Sequence, residues 1–302
     1  MLKQEFSCSC FHFMAIPSMN TKISEFEFIK GLTAELSSKN LVFPTSLKTT
    51  MKIRRALDTP DISNDQIARI ISAEPVLSAQ VLKLANSAMF NRTDRKVEEL
   101  RAATVLLGFG VVRNVAISVG MKQLKDHQAS GQSSERMEGL WTRSMRVAAL
   151  SFVLAKNLTR LSPDKAMIAG LLHDVGKFYI LNRACLYQDL FVTEDALWDL
   201  VDQWHADIGA AILDSWDLPE DVRAAVMDHK ELDMAMTGKA TLTDIVAGAN
   251  FLDAHFVAQS IATLDWNTIP VSLQNLQLDA ERTEKLMRET TQELASIMHI
   301  LS

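Results

Sequence analysis

Apolar residues recur every three or four positions along most of this chain, and that spacing predicts helices. Ile23, Phe26, Ile29, Leu32 and Leu36 form one stripe, so residues 23–36 read as an amphipathic helix. A second helix is predicted over 45–57, ended by the neighbourhood of Pro60. Ser63-Asn64-Asp65-Gln66 then has the form of a capping box, in which Ser63 covers free N–H groups and Gln66 reaches back. Pro75 suits a first helical turn capped by Glu74, and Leu77, Val81, Leu84 and Ala88 follow at helical spacing. Helices over 97–107 and 111–124 meet at a hinge, Gly108-Phe109-Gly110.

A polar stretch from Asp126 to Glu135 interrupts the pattern and separates two lobes. Beyond it the periodicity predicts helices over 137–158, from Ser162-Pro163 to His173-Asp174, over 194–216, from Pro219-Glu220 to His229, over 241–256 and over 279–301. In the last of these Leu286, Leu294, Ile297, Met298 and Leu301 share one side, which fits packing on the body or a homodimer contact. No strand alternation of useful length and no internal repeat interrupts this reading. The expected fold is all-α, a two-lobed multi-helical domain. Residues 1–20 read as a disordered tail or an over-long start and 21–40 as an N-terminal helix. The main domain covers 41–256 (lobes 41–125 and 137–256 around a loop at 126–136), with a helical extension at 257–302.

Composition narrows the function classes. With 302 residues and 48% hydrophobic content the chain can fill a substantial core. A formal charge of −6 gives no electrostatic footprint for nucleic acid. No run of about 18 uncharged apolar residues predicts a membrane span. Cys8, Cys10 and Cys185 are too few and too scattered for a disulfide framework, which suits a reducing, cytoplasmic setting. Gly108-Phe109-Gly110 is not a dinucleotide loop, because no strand precedes it and Arg113 stands at the third glycine position. Asn86-Ser87, polar in an apolar helix, predicts an inter-helix hydrogen bond that fixes lobe packing, with a contact in a signalling groove as the alternative.

The chemistry concentrates in Gly170-Leu171-Leu172-His173-Asp174-Val175-Gly176-Lys177, where an imidazole and a carboxylate adjoin at the end of an apolar helix. That pair can hold a divalent metal if further ligands converge on it. The second lobe resembles the HD superfamily of metal-dependent phosphohydrolases. From about Leu41 to Phe256 the chain resembles more specifically the HDOD family, the HD-related output domains of bacterial signalling proteins. The matching residues are Glu74 to Ser78, Leu84 to Ala88, Ala103 to Gly108 with Val112-Arg113, Trp141 to Val147, Ala169 to Lys177, His205 to Ala210, Trp216 to Pro219 and Asp228-His229. Glu74 stands where the family commonly has Asp.

The resemblance implies a single-metal pattern of a His, the His-Asp pair and a later Asp. Here the first position falls on Ser144 and the last on Asn250, so two donors are degenerate. Missing donors of this kind usually mean loss of tight metal binding. The implied role is a non-catalytic regulatory module that works through contacts with signalling proteins, with no catalytic residue and no expected cofactor. With about 50 residues after Phe256, too few for another ordinary domain, the input would come from a separate molecule or from the terminal helices. The alternative rests on His205 and His229, which resemble the additional histidines of two-metal HD enzymes. With His173 and Asp174 they form a set that a divalent transition metal accepts, Lys177 would offset phosphate charge, and the chain would hydrolyse a nucleotide or cyclic-dinucleotide phosphate. Each of these residues also has a plainer reading: a helix-end imidazole satisfied by carbonyls, a solvated Lys177, and, most simply, a His229 partnered by Asp228.

Overall fold

The computed structural model describes residues 20–38, 53–57, 59, 61–87, 90–91, 95–126, 132–185, 193–234 and 238–301. Within these residues the secondary structure is helical and no strand occurs. Two separate hydrophobic cores organise the molecule. The first described helix, α1 (Asn20–Ser37), joins the larger of them, although residues 53–124 that follow it in sequence mostly build the smaller.

The smaller core gathers residues 53–57, which are helical, with α2 (Asn64–Ser72), α3 (Pro75–Ala85) and the first part of α4 (Leu100–Asp126). Local chemistry sets these helix starts. The Ser63 hydroxyl accepts from Gln66 N, and Gln66 Oε1 accepts from Ser63 N at 2.8 Å, so the capping box closes. Glu74 caps α3 by accepting from Leu77 N at 2.6 Å, with Pro75 in the first turn. Asn86 does not bridge two helices as its sequence context suggests. Its amide ends α3 and holds the following segment, through Val97 N and Val97 O. Most of the helix expected over 45–57 lies outside the described residues, as do Cys8, Cys10 and residues 127–131 of the expected loop; the last part of that loop, 132–136, is instead helical and begins the long helix expected only from 137.

The helices expected over 97–107 and 111–124 are a single kinked element. Gly108 breaks the helical path of α4 at φ 76°, ψ 160°, a conformation that glycine adopts without penalty. Beyond the kink α4 is buried on nearly every side. Val112, Val115, Ala116 and Val119 serve the smaller core, while Ile117, Met121 and Leu124 enter the larger one. By length and composition α4 could cross a membrane, yet 56% of its most apolar window is buried within the fold, as expected of a core helix shared by two lobes.

The larger core belongs to α5 (Gln132–Leu158), α6 (Pro163–Leu172), α7 (Val175–Ala184), α8 (Glu194–Ser215), α9 (Glu220–Met227) and α10 (Leu242–Val257). Helix α1 docks here through Phe28 and Leu32, which are buried, and through Glu35, which accepts from Tyr179 Oη and pairs with Arg183. At the other end come α11 (Val271–Asn275) and α12 (Ala280–Leu301). Leu286 of α12 is buried and Met298 packs against the core, whereas the side chains of Leu294, Ile297 and Leu301 lie outside the described residues. The two lobes are joined at the C-terminal end of α8, where Arg54 donates to Trp216 O and Arg55 to Ser215 O.

Two glycines bring the helices of the larger core close enough to build a site. A Cβ at Gly170 would lie 2.6 Å from Ser151 Oγ and 2.8 Å from Val147 O, so α6 lies almost directly on α5. A Cβ at Gly176 would lie 2.0 Å from His205 O. Only glycine lets the start of α7 reach the backbone of α8 at that point.

Candidate metal centre

His173 closes α6 and Asp174 opens α7, so the pair occupies the two-residue joint between those helices. An aspartate at that position ordinarily accepts from the first free N–H groups of its helix. Asp174 makes no such bond, and neither of its oxygens has a hydrogen-bond partner. The carboxylate faces three imidazoles instead. His205 reaches it from the middle of α8, which Gly176 allows to approach, and His229 from the turn after α9.

Each imidazole is oriented in the same way. His173 Nδ1 lies 2.7 Å from Gly170 O, His205 Nδ1 2.9 Å from Val201 O, and His229 Nδ1 2.7 Å from Val226 O. A carbonyl oxygen only accepts, so Nδ1 carries the proton in all three rings. In the neutral ring Nε2 is then a bare lone pair. Those lone pairs converge. His173 Nε2 is 3.3 Å from Asp174 Oδ2, and Asp174 Oδ1 is 3.6 Å from His205 Nε2 and 3.8 Å from His229 Nε2. His205 Nε2 and His229 Nε2 face each other at 3.4 Å, a contact between two lone pairs that a proton or a cation relieves.

The spacing suits a metal shell. Donors placed tetrahedrally at zinc-like bond lengths stand about 3.3–3.5 Å apart, close to the 3.3, 3.4 and 3.6 Å separations found here. His173, Asp174 and His229 together offer ligand atoms that all lie within 4.8 Å of one another. Two imidazoles and one carboxylate are donors that a divalent transition ion accepts, and His205 adjoins this group through Asp174 and His229.

Electrostatics point the same way. Burial alone would push the Asp174 carboxyl up, but His173, Lys177 and His229 outweigh it and hold the group well below the usual carboxylate range. Burial lowers His205 to about 4, against the pull of Asp174, with Lys177 and Lys230 adding to the fall. Burial and the neighbouring His173 lower His229 to about 3. Near neutral pH both rings are therefore unprotonated and ready to donate to a metal.

The remaining candidates sit differently. The Lys177 ammonium is neither solvated nor free for phosphate. It is mostly buried and lies 3.3 Å from Asp174 Oδ1 and 3.4 Å from Asp202 Oδ1. Asn250 accepts from Arg143 Nη2 at 2.7 Å, so its amide oxygen is already engaged. Ser144 is fully buried and its hydroxyl has no partner. The antiparallel pairing of α5 with α6 at Gly170 places Ser144 a turn beyond Val147, toward the His173 end of α6. His229 departs from its simplest sequence reading: its imidazole pairs with backbone and cluster, and Asp228 takes no part.

Sequence reasoning missed the contacts that occupy the α5–α10 seam. Beside Arg143 and Asn250, Arg146 donates to both oxygens of the buried Asp253, at 2.5 and 3.1 Å. The three-residue spacing of Arg143 and Arg146, matched by Asn250 and Asp253, marks one face on each helix, a signal that was open to reading. The reason for Gly176 was legible only in part, since its close neighbour His205 lies 29 positions away in sequence.

Comparison with known proteins agrees with this architecture. The family model for the HDOD domain matches residues 43–232. An uncharacterized protein of Treponema pallidum (strain Nichols) is 28% identical over 288 residues, covering 88% of this chain and 51% of that protein. The chain thus spans about half the length of that curated relative. Among solved structures, a protein of Shewanella amazonensis SB2B that bears the name of a candidate metal-dependent phosphohydrolase aligns with a TM-score of 0.68 at 26% identity, covering 93% of this chain and all of that one. An HDOD domain protein of unknown function from Geobacter sulfurreducens aligns at 0.64 with 21% identity, over 93% of this chain and 97% of that one. A candidate signal transduction protein from Marinobacter aquaeolei VT8 aligns at 0.60 with 18% identity, over 92% and 65% of the two chains.

Proposed function

The chain belongs to the HDOD family, and from that premise we propose that it is a non-catalytic regulatory module whose HD-type site has become a closed structural centre. The observation that carries this reading is burial. His173, Asp174, His205 and His229 are each at most 1% exposed. A hydrolytic metal keeps one position open to water and substrate, whereas a structural one is closed by four protein donors. His173, Asp174 and His229 supply three donors, the adjoining His205 would supply the fourth, and Lys177 lies 3.3 Å from the carboxylate. Bound there, a divalent ion would supply fixed positive charge between α6, α7, α8 and α9. The histidines would hold it through Nε2 while their Nδ1–H groups stay on backbone carbonyls, which keeps the rings oriented.

Signals would then pass through contacts with protein partners, with the two lobes and the terminal helices α1 and α12 as the available surfaces. The test pairs metal content with turnover. Purified chain is stripped, reloaded with Mn²⁺, Fe²⁺, Ni²⁺ or Zn²⁺, and given a panel of nucleotides and cyclic dinucleotides. Expected is metal uptake that Asp174→Ala abolishes, with no phosphate release above that variant's background. Metal-dependent turnover that Asp174→Ala removes would overturn the reading. Co-purification with the intact chain identifies the partner.

A phosphohydrolase is the second reading, favoured by the two unpartnered oxygens of Asp174 and by the likeness to the Shewanella amazonensis protein. It requires Lys177 to leave Asp174 and Asp202 so that phosphate can enter. The same turnover assay decides between the two.

A further inference from the structure

A cavity of about 830 Å³ opens on the smaller lobe, far along the chain from the histidine cluster and sharing no residue with it. It is an open groove rather than an enclosed pocket, with room for a small organic ligand along it. Ala79 and Leu82 on α3 and Val97 on the following segment make its apolar wall. That wall is fixed in place. Asn86 Nδ2 donates to Val97 O at 2.7 Å and to Leu82 O at 2.8 Å, while Val97 N donates to Asn86 Oδ1 at 2.7 Å. Asn91 fixes a second point by donating from Nδ2 to Arg95 O at 2.8 Å.

The rim of the cavity is basic, although the chain as a whole carries a formal charge of −6. Lys96 is neutralised by Glu98 at 3.6 Å. Among the described residues no acceptor meets the side chains of Lys83 or Arg95, and both are exposed at the cavity. Two such cations beside a rigid apolar wall complement a ligand with a phosphate at one end and a planar, weakly polar group at the other. We propose that this cavity binds a nucleotide, its phosphate between Lys83 and Arg95 and its base against Leu82 and Val97. Through such a ligand the smaller lobe would receive an input independent of the metal centre.

Titration calorimetry of the full chain with ribonucleoside mono-, di- and triphosphates, cyclic dinucleotides and inorganic pyrophosphate tests this. Saturable nucleotide binding is expected, and the double variant Lys83→Gln/Arg95→Gln should weaken it by about tenfold or more. Ala79→Phe, which fills the cavity without altering charge, should weaken it as well. The charge-matched control Lys30→Gln/Lys285→Gln, on α1 and α12, should bind like the parent, and thermal melts confirm that each variant is folded. The proposal is overturned if no nucleotide binds, if the control weakens binding as much as the double variant, or if pyrophosphate binds as tightly as every nucleotide.

Discussion

The two lobes bury polar groups on opposite terms. In the smaller lobe Asn86 is only partly buried and all of its amide is used, with both Nδ2 protons and Oδ1 engaged. In the larger lobe the four ionisable side chains of the histidine cluster are buried together, and His173 Nε2 and both oxygens of Asp174 have no hydrogen-bond partner. Apolar residues of similar volume would pack there without that cost. Unsatisfied buried acceptors are therefore better understood as lone-pair donors held ready for a metal than as contacts that stabilise the metal-free fold. Asn86 stabilises the smaller lobe through bonds it completes, whereas the larger lobe tolerates the open valences of its cluster.

The largest effect that separates the lobes should come from glycine. Gly176→Ala drives a methyl into His205 O, which sits 2.0 Å from the new Cβ. Neither backbone can yield without separating α7 from α8, and a loss of about 4 kcal/mol or more is expected in denaturant melts. Gly110 in α4 has nothing within 4 Å of an added methyl and no positive φ, so Gly110→Ala should stabilise by up to about 1 kcal/mol. Next in size is Asp174→Ala. Removing the carboxylate that faces three imidazoles and Lys177 should cost about 3 kcal/mol in the metal-loaded chain and abolish metal uptake by mass spectrometry.

Acid should also distinguish the lobes. His205 falls to about 4 and His229 to about 3 in the folded chain, both from an ordinary value of 6.5. Below pH 6.5 the unfolded chain therefore takes up protons that the folded chain refuses. Their contribution is fully present above pH 6.5 and declines as pH falls toward 4 and then 3. Asp174, held below the usual range, adds its own loss only at still lower pH. No histidine lies between residues 53 and 126. In chelator-treated protein, amide protection relative to the intrinsic exchange rate should fall in α7–α9 between pH 6 and 4 before it falls in α2 and α3. An equal fall in both lobes would mean that the histidines are not the cause.

Much of this arrangement was legible in the sequence, for identifiable reasons. Helical period, the Ser63 box, the Glu74-Pro75 start and the Gly108 kink are local, so each can be read from a few consecutive residues. His173-Asp174 was conspicuous because the two donors are adjacent. Convergence of His205 and His229 could be expected only by resemblance, since it depends on where Gly176 lets α8 pass. Lys177 read as a solvated charge because Asp202, one of its two partners, is 25 positions away and on another helix. The role of Asn250 was hidden for the same reason: Arg143, which occupies it, is 107 positions distant. The membership of α1 in the larger core, through Phe28 and Leu32, likewise runs against sequence order.

The smallest predicted difference concerns two capping boxes of similar design. Ser63 heads α2 at an exposed site and Thr241 heads α10, where the hydroxyl and the backbone N–H both donate to Asp244 Oδ2, at 2.7 and 2.8 Å. Ser63→Ala leaves its orphaned N–H groups to water and should cost about 1 kcal/mol. Thr241→Ala also strips a donor from Asp244, which is buried and has Asn275 Nδ2 at 3.0 Å as a further partner. A buried carboxylate that loses a donor is penalised more than an exposed amide that gains a water. Thr241→Ala should therefore cost about 2 kcal/mol, roughly twice the loss at Ser63, in parallel urea melts. Equal losses would mean that the larger lobe accommodates an unsatisfied acid at α10 as readily as it does at Asp174.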